Sequence, residues 1–251
     1  MSDILVSTAD GIATIAFNRP DKKNAITAAM YAAMADALEA ADADSAVRVV
    51  LFTGTPGCFT AGNDLQDFLA NPPSGNNSPV ARFLRAISTA RKPLVAAVTG
   101  VAVGVGTTML LHCDLVYAAK SAKLSLPFVN LALVPEAASS LLLPRSIGNR
   151  RAAELLLLGE PLAAEQAAAW GLINAAVDDE ALAETALKAA RKLAAKAPQA
   201  LMLSKQLMKP KPEEVAAQMQ AEMQYFSAQL LSAEAREAMT AFFEKRPPKF
   251  A

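Results

Sequence analysis

Residues 92–119, KPLVAAVTGVAVGVGTTMLLHCDLVYAA, decide the fold class of this chain. The apolar run 94–98 predicts a buried strand, residues 106–113 predict a helical segment, and residues 114–119 predict another strand. Gly100 and Gly104, which lie between the first strand and the helical segment, and Gly106 at the start of that segment predict a tight turn. An apolar strand of this kind is typical of a parallel sheet that is covered on both faces.

The same run raises the alternative of a membrane-spanning segment, because residues 94–113 contain no Asp, Glu, Lys or Arg. That length is enough to suggest a membrane span. Gly100, Gly104 and Gly106 interrupt it, however, and its first part has the pattern of a short strand. We therefore interpret the run as part of a globular core.

The chain on either side extends the alternating pattern. It predicts a hairpin over 4–20 with an Asp10-Gly11 turn, a helix over 26–44 capped by Thr27, a strand over 47–54, a loop over 71–79 and a helix over 80–91. The order of strands and helices predicts an α/β fold with right-handed crossovers. From about residue 150 the chain is mostly helical, with C-caps predicted at Gly159 and Gly171 and one more strand within 172–177.

Composition excludes several classes of function. Lys and Arg number 24, as do Asp and Glu, so a net charge of +0 favours neither nucleic acid nor an anionic membrane as the main partner. Two cysteines make no disulfide framework and favour a reducing compartment. The first residues lack the pattern of a signal peptide, so we expect a cytoplasmic protein.

Familiar ligand motifs are absent. The glycine-rich turn fails the G-x-G-x-x-G pattern, because Met109 stands at the third glycine position. His112, Cys113 and Asp114 are adjacent, and neighbouring residues on a helix do not face one another. The sequence therefore predicts no metal site and no dinucleotide site, and no G-x-S-x-G nucleophile motif is present.

Two turns share a feature that suits a negatively charged oxygen. CFTAGNDL, residues 58–65, follows the strand over 47–54, and GVAVGVG, residues 100–106, follows the strand over 94–98. Each leads into a helix, whose first N–H groups have no partner within the helix. Two such donors from separate loops can form an oxyanion hole.

The sequence resembles the enoyl-CoA hydratase/isomerase (crotonase) family over nearly its whole length. The matching runs are FNRPDKKNAIT (17–27), CFTAGNDL (58–65), the run 92–119, VPEAASS (134–140), AAAWGLINAAV (167–177) and FFEKRPP (242–248). The resemblance implies a spiral of β-β-α units over 1–195 that carries an acyl-CoA site. It also implies a helical region over 196–251 that associates into a homotrimer or a dimer of trimers.

The resemblance further implies the chemistry. The substrate would be an acyl-CoA thioester, so that coenzyme A arrives as part of the substrate and no separate cofactor is needed. The backbone N–H groups of Ala61 and Val105 would hold the thioester oxygen. The hydratases of the family use two glutamates, and at those places this chain has Thr108 and Phe128. Since water addition needs one group to activate water and another to deliver a proton, hydratase activity is disfavoured.

Glu136 is the lone charge in LALVPEAASSLLLP, residues 131–144. Its context resembles the peroxisomal-type Δ3,Δ2-enoyl-CoA isomerases, in which one glutamate moves a proton from C2 to C4. Apolar surroundings would raise its pKa. The structural alternative is an exposed glutamate in the first turn of a helix. The functional alternatives are a hydratase that uses Glu136 with an unidentified partner, a non-catalytic acyl-CoA-binding protein, and a hydrolase or lyase of this fold.

Substrate contacts are predicted at the two turns and around the phosphates and adenine of coenzyme A. In the first turn the predicted contacts are Thr60, Ala61, Gly62, Asn63 and Asp64, and beside the second turn they are Gly104 and Phe128. The phosphates of coenzyme A are predicted to meet Lys22 and Lys245, together with Arg19 and Lys23. Phe242 or Phe243 is predicted to lie near the adenine. For the cations, solvated surface charge is an equally good interpretation.

Overall fold

The computed structural model describes residues 2–55, 57–71, 75 and 77–250. These residues form an α/β structure whose last part is helical, as predicted. Part of the loop predicted over 71–79 lies outside the described residues. Within the ranges that the structure does describe, no helix has both the length and the apolar character needed to cross a bilayer.

Two sheets form the framework. The strands are β1 (Ile4–Ala9), β2 (Ile12–Phe17), β3 (Val49–Thr53), β4 (Leu94–Val98), β5 (Val101–Val103), β6 (Leu115–Ala119), β7 (Lys123–Ser125), β8 (Leu162–Ala163) and β9 (Ala175–Val177). The larger sheet has the order β1-β2-β3-β4-β6-β9, in which only β1 and β2 pair antiparallel. In the smaller sheet, β7 pairs parallel with β5 and antiparallel with β8.

Helices cover and extend these sheets. They are α1 (Ala28–Ala43), α2 (Leu65–Ala70), α3 (Pro79–Thr89), α4 (Val105–Thr108), α5 (Ser139–Ile147), α6 (Asn149–Ala153), α7 (Ala164–Trp170), α8 (Leu182–Ala194), α9 (Pro198–Met208), α10 (Pro212–Leu230) and α11 (Ala233–Glu244). Short 3₁₀ turns span Pro20–Lys22, Met109–His112, Val129–Leu131 and Asp179–Ala181, and a π turn spans Glu154–Leu158.

The central strand β4 explains the uncharged run in the sequence. All five of its residues are buried, and it lies between β3 and β6. Helix α8 packs against β3, β4 and β6, while α1 packs against α3 and the first two strands. The prediction of a buried strand in a parallel sheet is confirmed.

The predictions made from turn and capping residues are also confirmed. Asp10 and Gly11 both have positive φ in the tight turn between β1 and β2, and the Thr27 side chain accepts a hydrogen bond from the Met30 N–H as an N-cap. Gly159 and Gly171 end their helices in the left-handed conformation. The strand predicted within 172–177 is shorter, and covers only β9.

The C-terminal part from 196 to 250 is helical and packs back on the core. Helix α10 lies against α3 and α5, and α11 lies against the turn Val129–Leu131. The division into domains at residue 195 stays a prediction, as do the trimeric association and the cytoplasmic location.

Candidate active site

The two predicted turns lie side by side. The Thr60 N–H donates to the Val101 carbonyl at 3.0 Å, and the Val103 N–H donates to the Thr60 carbonyl at 3.1 Å. Gly62 has φ +84°, and a Cβ on it would lie 2.7 Å from the Val103 carbonyl oxygen. Only glycine can hold this conformation at this distance without strain, so the sequence brings the two loops together at Gly62.

One predicted oxyanion donor fits the structure. Val105 is the first residue of α4, and Gly104 precedes it with φ +55° and ψ −118°. Among the described residues, no acceptor is found for the Val105 N–H. An unpaired N–H at a helix start is available to a ligand oxygen.

The other predicted donor needs a correction. The Ala61 N–H already donates to the Lys23 carbonyl at 2.9 Å, so it is not available. In the same loop, the Gly62 carbonyl and the Asp64 N–H both bond to the backbone of Ile26. In a parallel bridge of this kind, the residue between those two groups, here Asn63, directs its own N–H away from the partner strand. The N–H of Asn63 therefore points away from Ile26 and has no acceptor in the described ranges, which makes it the better candidate.

The Asn63 side chain is held as well. Its Oδ1 accepts a hydrogen bond of 2.6 Å from the hydroxyl of Tyr31, which is buried on α1. Burial, and secondly the charge of Glu136, raise the pKa of Tyr31, so its hydroxyl stays protonated as a donor. This link fixes Asn63 at the cavity wall. No local pattern predicts this hydrogen bond, because Tyr31 stands 32 positions away from Asn63.

A cavity of about 620 Å³ opens beside these loops. Of the predicted substrate-binding residues, its wall includes Lys22, Ala61, Gly62, Asn63, Asp64, Gly104 and Phe128. Val105 lies in the wall too, as do buried apolar side chains from several elements, including Phe68, Leu133 and Phe226.

Some predicted contacts are not in this wall. Thr60 is completely buried, and its hydroxyl donates to the Asn24 carbonyl at 2.6 Å, so it holds the loop and does not face a ligand. Arg19 bonds to Asp64 and to the Ala25 carbonyl. Lys245 ends α11 in the left-handed conformation and is also outside the wall.

The cavity mouth shows a cation that sequence reasoning missed. Arg246 lies in the wall together with Phe242 and Phe243, both of which are exposed. Its guanidinium is paired with Glu237 and Glu244. Of the run FFEKRPP, Arg246 and not the predicted Lys245 lies in the cavity wall, and a contact of this segment with coenzyme A stays a prediction.

Glu136 is buried, with 7% of its surface exposed. Its Oε1 accepts a hydrogen bond of 2.5 Å from the Thr108 hydroxyl, at the end of α4. Helix α5 begins only at Ser139, so the interpretation of Glu136 as an exposed residue in a first helical turn is wrong. Glu136 is not among the described residues of the cavity wall; its carboxyl is tied through Thr108 to α4, whose first residue, Val105, is in that wall.

The backbone after Glu136 is strained. Ala137 and Ala138 have φ +59° and +57°, a conformation that costs roughly 1 kcal/mol or more for a residue with a Cβ. The Ala137 carbonyl lies 2.9 Å from Nε2 of His112, and burial lowers the pKa of His112 to about 4, so that the ring is neutral. His112 thus has a structural role, since it bonds to the turn that follows Glu136.

Burial dominates the acidity of Glu136. It raises the pKa of the carboxyl to about 7, while the hydrogen bond from Thr108 lowers it and the nearby charge of Glu222 raises it. A carboxylate with such a pKa is a stronger base than one in water and is still ionised near neutral pH.

A cavity of similar size, about 640 Å³, lies elsewhere. Cys113, Asp114, Lys209 and the end of α9 line it, and none of the predicted site residues does. Its Asp114 is paired with Lys205 and Lys209, so these charges are satisfied within the protein. In the described parts of the chain, no group of three His, Cys, Asp or Glu side chains is arranged to hold a metal ion.

Comparison with known proteins gives consistent matches. The family model described as enoyl-CoA hydratase/isomerase matches residues 7–251. The 1,2-epoxyphenylacetyl-CoA isomerase of Escherichia coli (strain K12) is 39% identical over 100% of this chain and 98% of its own length. Enoyl-CoA delta isomerase 2 of Homo sapiens is 38% identical over 84% of this chain and 55% of its own length. Relatives named as hydratases match at 33% and 36% identity.

The fold is matched by solved structures. An enoyl-CoA hydratase/isomerase from Pseudoalteromonas atlantica T6c superposes with a TM-score of 0.96 at 46% identity, over 100% of both chains. The predicted spiral α/β fold is thereby confirmed.

Proposed function

Because this chain belongs to the enoyl-CoA hydratase/isomerase family, we propose that it is a Δ3,Δ2-enoyl-CoA isomerase. Such an enzyme moves a double bond of an acyl-CoA thioester from C3 to C2. The observation that carries the proposal is the environment of Glu136, a buried carboxyl whose pKa is raised to about 7 and which hydrogen-bonds to the helix that begins at Val105.

In the proposed mechanism, the Glu136 carboxylate removes a proton from C2. The electron pair moves onto the thioester oxygen and gives a dienolate, while Glu136 becomes protonated. The N–H groups of Val105 and Asn63 stabilise the negative oxygen, and each such donor typically contributes about 3 kcal/mol. Glu136 then returns the proton to C4 as the electron pair moves back, which leaves the double bond at C2.

The cavity suits such a substrate. Its inner wall carries buried apolar side chains, among them Phe68, Phe128 and Leu133, which would exclude water from the acyl group. At its mouth, Lys22 would supply positive charge and Phe242 an aromatic surface for the adenine, whereas the charge of Arg246 is already paired with Glu237 and Glu244. Coenzyme A would enter as part of the substrate.

Hydration would need a second acid or base. Thr108 and Phe128 occupy the places at which the hydratases carry glutamates, and both are buried. The other carboxylate that acts on Glu136 is Glu222, whose oxygens already accept three hydrogen bonds from the protein. This arrangement favours proton transfer within the substrate over water addition.

A product analysis with two substrates tests the proposal. Incubation with a 3-enoyl-CoA should give the conjugated 2-enoyl-CoA, detected by its absorbance and by mass spectrometry. Incubation with a 2-enoyl-CoA should give little 3-hydroxyacyl-CoA, which is heavier by one water. Hydration at a rate comparable to isomerisation would favour the hydratase, and binding without turnover of either compound would favour a non-catalytic protein.

The pH dependence follows from the pKa of Glu136. Its basic form is required, so kcat/KM for the 3-enoyl-CoA should be level above about pH 7 and should fall tenfold for each unit of pH below it. Initial rates between pH 5 and 9 at low substrate concentration measure this profile. A rate that stays level down to pH 5 would contradict a base with this pKa.

A further inference from the structure

Glu222 is a buried carboxyl group on the helix that also supplies Phe226 to the cavity wall. It lies on α10 with 6% of its surface exposed. Its Oε2 accepts a hydrogen bond of 2.6 Å from the Ala138 N–H, and its Oε1 accepts bonds from the N–H and the hydroxyl of Ser140 at 3.0 and 2.5 Å. Since N–H groups can only donate, each oxygen accepts at least one hydrogen bond; burial raises the pKa of Glu222, and these hydrogen bonds lower it by favouring the carboxylate.

These bonds end on the strained turn that follows Glu136. Ala138 is one of the two alanines with positive φ, and the Ser139 N–H closes the turn by donating to the Glu136 carbonyl at 3.0 Å. Gln218, one turn earlier on α10, donates to the Ser140 hydroxyl at 2.8 Å. The conformation of the turn, and therefore the direction of Glu136, depends on groups supplied by α10.

We propose that Glu222 is a positioning residue of the isomerisation, whose carboxylate holds the turn between Glu136 and α5 in the conformation that presents Glu136 to the substrate. This inference rests on the proposed function. It assigns Glu222 no contact with the substrate, because both of its oxygens are occupied by hydrogen bonds from Ala138 and Ser140.

The negative charge of Glu222 has a second effect, because it opposes the ionisation of Glu136. The other titratable groups that face Glu136 or its turn are Tyr31 from α1 and His112 from the turn Met109–His112. Both are neutral around pH 7, since burial raises the pKa of Tyr31 and lowers that of His112. Glu222 is therefore the charge that acts on Glu136 in this range.

The helices packed against α10 also carry charged residues. They are Arg82 and Arg85 on α3, Arg145 on α5, and Glu234, Arg236, Glu237 and Glu244 on α11. Arg82 pairs with Asp36 and Glu39, and Arg145 pairs with Glu214, at exposed positions. Water screens such surface pairs strongly.

Two substitutions separate the two effects. Glu222→Asp keeps the charge but shortens the side chain, so that it cannot reach both backbone N–H groups. Its kcat should fall by roughly 10- to 100-fold because the base is misplaced, with the acid limb of kcat/KM still near pH 7. Glu222→Gln removes the charge and one acceptor, so kcat should fall and the acid limb should move to lower pH.

Glu213→Gln is the matched control. It makes the same change at an exposed position on the same helix, and should leave kcat and the acid limb unchanged. Thermal unfolding of all variants shows whether each is folded at the assay temperature. If both Glu222 variants keep the wild-type kcat and acid limb and differ only in unfolding temperature, Glu222 is structural and the inference is overturned.

An infrared titration tests the inference without substrate. The difference between wild type and Glu136→Gln isolates the Glu136 carboxyl, and its midpoint near pH 7 should move to lower pH in the Glu222→Gln background. If wild type does not isomerise 3-enoyl-CoA and the midpoint still moves, the proposed function fails while the link between the two glutamates stands. An unmoved midpoint together with a wild-type kcat in both Glu222 variants of an active isomerase overturns the inference alone.

Discussion

The Glu136→Gln variant is expected to isomerise 3-enoyl-CoA about 100- to 10,000-fold more slowly than wild type, the range that a positioned acid–base group contributes. Gln has nearly the same size as Glu and can still accept the hydrogen bond from Thr108. It cannot, however, take a proton from C2. Steady-state rates of conjugated-thioester formation measure the loss, and turnover close to wild type would remove Glu136 from the mechanism.

The thermal stability of the folded protein provides a control for this variant. The pKa of Glu136 is raised in the folded protein, so the protein loses stability as the pH rises towards and through about 7. Gln cannot ionise and does not suffer this loss. At pH 8 we expect Glu136→Gln to unfold at the same or a higher temperature than wild type, which would separate loss of chemistry from loss of fold.

The second large effect is expected from removing a backbone donor at Val105. Proline has no N–H, and it is well suited to the first position of a helix, where that N–H has no helical partner. Gly104, which precedes Val105, has φ +55° and ψ −118°, a conformation that glycine can adopt. It lies outside the α region, which is the conformation disfavoured for a residue before proline. Val105→Pro should lower kcat by about 100- to 1,000-fold, the usual effect of one oxyanion donor.

Val105→Ala is the matched control for that substitution. It removes more of the buried side chain than proline does but keeps the N–H, so it should lower the unfolding temperature and leave kcat within a few fold of wild type. A proline variant that is folded and as active as the alanine variant would show that the Val105 N–H does not stabilise the dienolate.

Patterns within short windows predicted much of this molecule. The Asp10-Gly11 turn, the cap at Thr27 and the buried strand β4 are local, because turn chemistry, capping and apolar runs act over a few residues. Glu136 stood out for a similar reason, since a lone charge in an apolar run requires an explanation. Its hydrogen bond to Thr108 and its raised pKa required the folded structure.

The errors came from interactions between distant segments. Ala61 and Asn63 are two positions apart and both carry an N–H, and only the carbonyl of Lys23 distinguishes them. Thr60 is likewise not available to a ligand in the cavity, because its hydroxyl donates a hydrogen bond to the Asn24 carbonyl. Glu222 could not be predicted, because an acidic residue on a polar helix usually lies in solvent.

The hydrogen bonds from Glu222 have a consequence for how the protein is made. The ribosome completes both loops that carry the backbone donors, and Glu136 itself, well before it reaches α10. Until that helix emerges and docks, the Ala138 and Ser140 N–H groups lack their acceptor. A nascent chain can thus hold Glu136 and both backbone donors and still lack the contacts that position Glu136, which arrive with one of the last helices to be synthesised.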